Sequence, residues 1–149
     1  MTSELPPPRR IEPPSGTAPP TAAPSPSGGP DLDLHALAAA TCERYYAEYA
    51  DEDAVYGEVG RLWCQHDLQH LLNWAALDVA GHVTLDDQVA WLARILEARR
   101  FPILRLARSL ELAATVVRTD LDTGAEPIAQ RLDGAGTMIR ERGSFLGAG

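Results

Sequence analysis

The chain has 149 residues and a formal net charge of −8, which disfavours non-specific attraction to nucleic acid or to an anionic membrane. All thirteen basic residues are arginine, so a Schiff-base lysine or a phosphate-cradle lysine is excluded. No apolar run is long enough to span a bilayer. The arginine bias and the high alanine content fit a GC-rich bacterial genome and carry no functional information.

Met1–Pro30 contains ten of the twelve prolines, with Ser, Thr, Gly and Ala between them. Such a segment buries too little apolar surface to offset its ordering entropy. The expectation is a disordered tether of polyproline II character, a passive tail rather than a ligand for an SH3-like partner. Arg9–Arg10 is followed by Pro, Ser and Thr instead of an apolar run, so no signal peptide is expected. Residues 31–143 are then one helical bundle domain of four to five helices, and 144–149 a flexible C-terminus.

The first helix is predicted from about Asp33 to Ala50, capped by Asp31 or Asp33. Its inward stripe is Leu34, Leu37, Ala38, Thr41, Tyr45 and Glu48. Tyr45, Tyr46 and Tyr49 cluster near its end, where their hydroxyls can serve a polar group of the next helix or mark an interface. Asp51-Glu52-Asp53 reads as a solvated turn with helix-start charge. Gly57 and Gly60 are unfavourable in a helix interior, so either the first helix approaches closely there or the second begins after Gly60.

Residues 53–80 form the second helix, the expected central rod. At 100° per residue, Tyr56, Trp63, His66, His70, Asn73 and Trp74 share one face with Val55, Val59, Leu62 and Leu77. Cys64, Leu68, Leu71, Leu72 and Ala75 lie opposite, as on a helix packed on several sides. His66 and His70 are one turn apart and form a usable pair of metal ligands, with Asp67 as an off-face carboxylate. A metal or haem site needs further ligands. His35, level with His70 if the first two helices fold back on each other, and His82 are loose candidates. Neither the zincin pattern nor a Glu-x-x-His pair is present. The structural alternative is imidazoles buried beside the tryptophans and hydrogen-bonded to Asn73, a tyrosine or a carbonyl. Cys42 and Cys64 match no zinc or redox spacing and read as small buried thiols in a reducing cytoplasm.

Thr84-Leu85-Asp86-Asp87 resembles a capping box. It opens a third helix to about Arg100, with Leu85, Val89, Leu92, Ile95 and Leu96 inward. Pro102 suits the first position of a fourth helix running to about Thr119, with Ile103, Leu106, Ala107, Leu110, Ala114 and Val117 inward. Arg94, Arg99, Arg100, Arg105 and Arg108 cluster around this break and are expected to pair with carboxylates. A weak fifth helix, Ile128 to about Arg142, is opened by Pro127 and weakened by Gly134 and Gly136.

Tyr56-Gly57-Glu58, Gly60, Cys64, Asp67, His70-Leu71 and Ala76-Leu77, followed by Val89-Ala90-Trp91, Leu96, Arg99 and Leu110-Glu111, give the stretch from Tyr56 to Val117 a family likeness. It resembles the helical segment preceding the cobalamin-binding module of some bacterial regulatory proteins. In that family a separate module holds the cobalamin through a D-x-H-x-x-G loop. The present sequence lacks that loop, so cobalamin binding is not carried over. The resemblance implies a sensory or regulatory accessory module in which Cys64, Asp67 and His70 form one local constellation.

These readings converge on an all-α, non-enzymatic regulatory or protein-interaction module. It is expected to be cytoplasmic and without a cofactor, with a protein partner that includes a second copy of itself as a homodimer. The alternative is a cofactor-binding helical sensor holding metal or haem through His66 and His70. An acid–base enzyme using Asp67 and His70 has no accompanying nucleophile elbow, oxyanion loop or phosphate cradle.

Overall fold

A computed structural model describes residues 11–147. Five α-helices make up the bundle: α1 (Leu34–Glu48), α2 (Asp51–Val79), α3 (Leu85–Ala98), α4 (Ile103–Asp120) and α5 (Glu126–Arg142). The predicted helix order holds, and the boundaries move by a few residues. Two two-residue strands, β1 (Ala22–Ala23) and β2 (Leu32–Asp33), pair antiparallel with Ala22 opposite Asp33 and Ala23 opposite Leu32. Among the described residues, no helix is long and apolar enough to cross a membrane.

Side-chain chemistry accounts for the starts of three helices. Asp33 caps α1, its carboxylate accepting from Ala36 N at 3.0 Å. The opening of α3 departs from the capping-box expectation, because the Thr84 side chain makes no cap hydrogen bond. Asp78, near the end of α2, reaches across instead and accepts from Leu85 N at 2.7 Å. Its other oxygen takes Arg131 Nε of α5 at 3.0 Å, so one carboxylate ties three helices together. Pro127 stands in the first turn of α5, where its missing N–H is harmless.

The central rod is α4, not α2. Eleven of the eighteen residues of α4 are buried, against eight of twenty-nine in α2. Every inward residue predicted for α4 is in the core, and so are Ile128, Leu132, Ala135 and Ile139 of α5. Gly136 has a packing reason in α5: a Cβ there would lie 3.2 Å from the Ala107 carbonyl oxygen. The absent side chain lets α5 lie close against α4.

Both ends of the described residues are fastened to the bundle. Residues 1–10 of the proline-rich leader lie outside the described residues, and residues 11–30 have little regular structure, in keeping with their composition. The leader nevertheless touches the helices at Glu12 and Pro20 and pairs with the start of the bundle through β1 and β2. Ala23 is in the core, and the Thr21 carbonyl accepts from Leu34 N. The expected flexible C-terminus is corrected at its start: Phe145 is buried, and Glu97 accepts from both Ser144 Oγ and Phe145 N.

Candidate functional site

The second helix is interrupted at Gly57, which takes φ 60° and ψ −150°, a conformation open to glycine and strained for other residues. The break falls three residues before Gly60, and Gly60 itself is buried beside Tyr56 and the Tyr46 hydroxyl. Close approach of α1 and a helix break are thus both present.

Beyond the break, α2 presents two chemically different faces. Leu68, Leu71, Leu72, Ala75 and Ala76 enter the core. The face expected to be buried lies outward and is only half-covered. On it Trp63, His66, His70 and Trp74 form a continuous aromatic ladder. The successive ring centroids are 5.2, 4.8 and 5.5 Å apart; the first two contacts are edge-to-face and the last is stacked. One-turn spacing on a straight helix produces such a ladder. The imidazoles therefore do sit beside tryptophan rings, but on a strip at the edge of the bundle rather than in its middle. Asn73 lies half-buried on the same helix, and Leu62, 47 % exposed, stands beside Trp63.

Polar partners on this strip come from next-door groups and from the leader. His66 Nδ1 is 3.1 Å from Asp67 Oδ1, each side chain being 21 % exposed. Partial burial and the neighbouring His66 push the His70 pKa below its ordinary value, and Asp67 opposes them. Trp63 Nε1 donates to the Glu12 carbonyl at 2.6 Å. Gln69 donates to the Pro20 carbonyl at 3.1 Å, and Gln65 bridges Gln69 Oε1 and the His35 carbonyl.

The loose third ligands do not join the pair. His35 and His82 are exposed, and among the described residues no group of three or more His, Cys, Asp and Glu side chains is arranged to hold a metal ion. Tyr56 lies near Phe101, 6.4 Å between centroids, away from the ladder.

The buried polar centre lies elsewhere, at the start of α2. Glu52, expected in a solvated corner, is 3 % exposed. It accepts from the Tyr45 hydroxyl and from Arg105 Nη1 at 3.1 Å. Burial raises the Glu52 pKa against the pull of those two hydrogen bonds. Burial opposes the Arg105 charge as well, but the hydrogen bonds it donates to Asp51 and Glu52 outweigh it and hold that pKa above its ordinary value. Arg105 also lies 4.3 Å over the Tyr49 ring. The tyrosine hydroxyl thus serves a carboxylate and not the imidazoles. The pairing expected for the arginine cluster is seen at Arg105 and at Arg108, which binds Glu48 at 2.6 Å.

Besides this centre, sequence reasoning missed a second constellation. Cys42 and Cys64, read as unrelated thiols, face each other with 2.7 Å between sulfurs. Counting back from the turn between α1 and α2 was enough to find them: Cys42 is ten residues before Glu52 and Cys64 twelve after it.

Comparison with protein-family models, with curated proteins and with solved structures gives no match for this chain.

Proposed function

We propose that the chain is a non-enzymatic helical interaction module of a regulatory system, and that its docking surface is the outer strip of α2. The occupant is an extended, proline-rich peptide segment of a protein partner. The observation that carries this reading is the contact of Trp63 Nε1 with the Glu12 carbonyl. An indole N–H on a ring-lined strip receives a carbonyl from an extended proline-rich chain, as aromatic grooves receive polyproline II ligands. Gln69, buried beside the strip, also donates to a leader carbonyl, that of Pro20. The leader thus occupies the strip within its own chain, and the leader of a second copy carries the same chemistry, which supports the homodimer as one form of the assembly. The family resemblance supports the regulatory context.

The test is a titration of the full-length chain with a synthetic peptide of residues 11–24, followed by tryptophan fluorescence, with light scattering for oligomeric state. The expected result is a saturable change that weakens in Trp63→Phe, which keeps the ring and removes the donor. An unchanged signal at millimolar peptide overturns the reading.

A second reading is a sensor that binds metal or haem through His66 and His70. It is favoured by the His66–Asp67 contact. A proton on Nδ1 serves that contact and leaves Nε2 with its lone pair, the usual orientation of a ligating histidine. Metal analysis and an absorbance spectrum of freshly purified protein test it. A colourless, metal-free protein whose melting is unmoved by added zinc, haem or a chelator dismisses it.

A further inference from the structure

We propose that Cys42 and Cys64 are a modification site: on exposure to a peroxide they form a reversible intramolecular disulfide that ties α1 to α2. The two sulfurs lie 2.7 Å apart, between the roughly 2.05 Å of a disulfide bond and ordinary non-bonded contact. Both thiols are free and half-buried, so a small oxidant reaches them. They are carried by the facing sides of two helices joined by a two-residue turn. That pairing is fixed independently on either side of the thiols, by the Tyr45–Glu52 hydrogen bond and by the Gln65 contact with the His35 carbonyl. Both sulfurs pack against the core, and Cys64 also lies against the Tyr45–Tyr46 cluster. The helices therefore hold the pair together without the bond.

The chemistry balances with hydrogen peroxide as the two-electron oxidant. The Cys42 thiolate attacks one peroxide oxygen, the O–O bond breaks, and the leaving hydroxide takes a proton to become water. The resulting Cys42 sulfenic acid is attacked at sulfur by Cys64. The S–O bond breaks, the S–S bond forms, and the released hydroxide takes the Cys64 thiol proton as a second water. Two thiols are oxidised and one peroxide is reduced. The contact with the Cys42 sulfur, burial, and the Asp67 and Glu52 carboxylates push the Cys64 pKa up; the balance is the same whichever of the two sulfurs is oxidised first.

The experiment uses the full-length chain, reduced and then treated with a few equivalents of hydrogen peroxide. Because the chain has no lysine, trypsin cuts only after arginine and yields peptides 11–44 and 62–94, one cysteine in each. The expected result is an intact mass lower by two hydrogens, a linked 11–44/62–94 peptide in the non-reduced digest, and its disappearance with dithiothreitol. Closing a loop of this length is expected to raise Tm by on the order of 10 °C, reversibly and not in Cys42→Ser. Two thiols that stay free, that gain oxygen without linking, or that link only between chains overturn the proposal.

Discussion

Replacing Arg105 with Met tests what anchors the start of α2. The substitution keeps most of the apolar stem over Tyr49 and removes the guanidinium. Glu52, 3 % exposed, then loses the Arg105 hydrogen bond and keeps that of the Tyr45 hydroxyl. Removing one partner of a buried ion pair destabilises by about 3–5 kcal/mol. The Asp51 half of the network adds little, because Asp51 is 55 % exposed and such pairs contribute about 0–1 kcal/mol. Arg105→Met is therefore expected to destabilise the protein by about 3–4 kcal/mol at pH 7. In urea melts the midpoint falls with little change in slope.

The origin of that loss is separable from lost packing. Adding Glu52→Gln removes the stranded charge, so the double variant is expected to recover more than about 1.5 kcal/mol of it. Acidification gives the same answer by another route. The Glu52 pKa is raised in the folded state, so its protonated form is the one folding favours. That contribution is fully present below the unfolded value of 4.5 and is lost as pH rises through the higher folded one. Without Arg105 the folded value rises further, and the gap between variant and wild type narrows as pH falls toward 4.5. A deficit under about 1 kcal/mol at pH 7, or one that widens on acidification, refutes the assignment of Glu52–Arg105 as the buried anchor.

Asp78→Ala is expected to lower stability by about 1–2 kcal/mol through loss of the α3 cap, whereas Thr84→Ala changes it by less than about 0.5 kcal/mol; equal effects in urea melts restore the local capping box. Gly134→Ala, with nothing within 4 Å of the added Cβ, is expected to stabilise by up to about 1 kcal/mol. Gly136→Ala, aimed at the Ala107 carbonyl, is expected to destabilise; the same sign for both in calorimetry contradicts the close α4–α5 approach. His70 is expected to titrate below 6.5 by NMR. Its depressed folded pKa makes a contribution that is present above 6.5 and lost as pH falls through the folded value. His70→Phe flattens the stability profile in that window, and an unchanged profile removes the partial burial argued for the ladder.

Helix order was legible because the apolar stripes of α3, α4 and α5 have one meaning each. Leu106, Leu110 and Val117 leave no other face to bury, and Leu85, Val89 and Leu92 are as plain. What the sequence hides is the partnership of residues far apart in it. Nothing near Leu85 shows that its cap comes from Asp78, and nothing near Glu52 shows that Arg105 and Tyr45 will close over it. A run of three acids reads as solvated because its neighbours along the chain are polar, but the helix that covers Glu52 starts fifty residues later. The leader is similar: its composition gives its lack of regular structure, and only the Trp63 and Gln69 contacts show where it lies.

The inversion of α2 has a physical cause that the residue types contain. Both faces are rich in large side chains, and periodicity alone cannot rank them. The face that went inward, Leu68, Leu71, Leu72 and Ala75, is aliphatic, and Gln69, buried at its edge, is hydrogen-bonded to Gln65 and to the Pro20 carbonyl. The other carries indole N–H groups, two imidazoles and an amide, each of which needs a partner once buried. Four aliphatic side chains leave water with no hydrogen bonds to replace. A ladder of Trp63, His66, His70 and Trp74 does so only if the bundle supplies a donor or acceptor at every turn. Half-burial resolves that conflict: the ring faces are covered by one another and by neighbours, while the nitrogens stay within reach of water, of Asp67 or of a peptide carbonyl. A strip held in that state is the kind of surface from which a further chain can displace water without leaving a buried donor unmet, which is how Glu12 sits on Trp63.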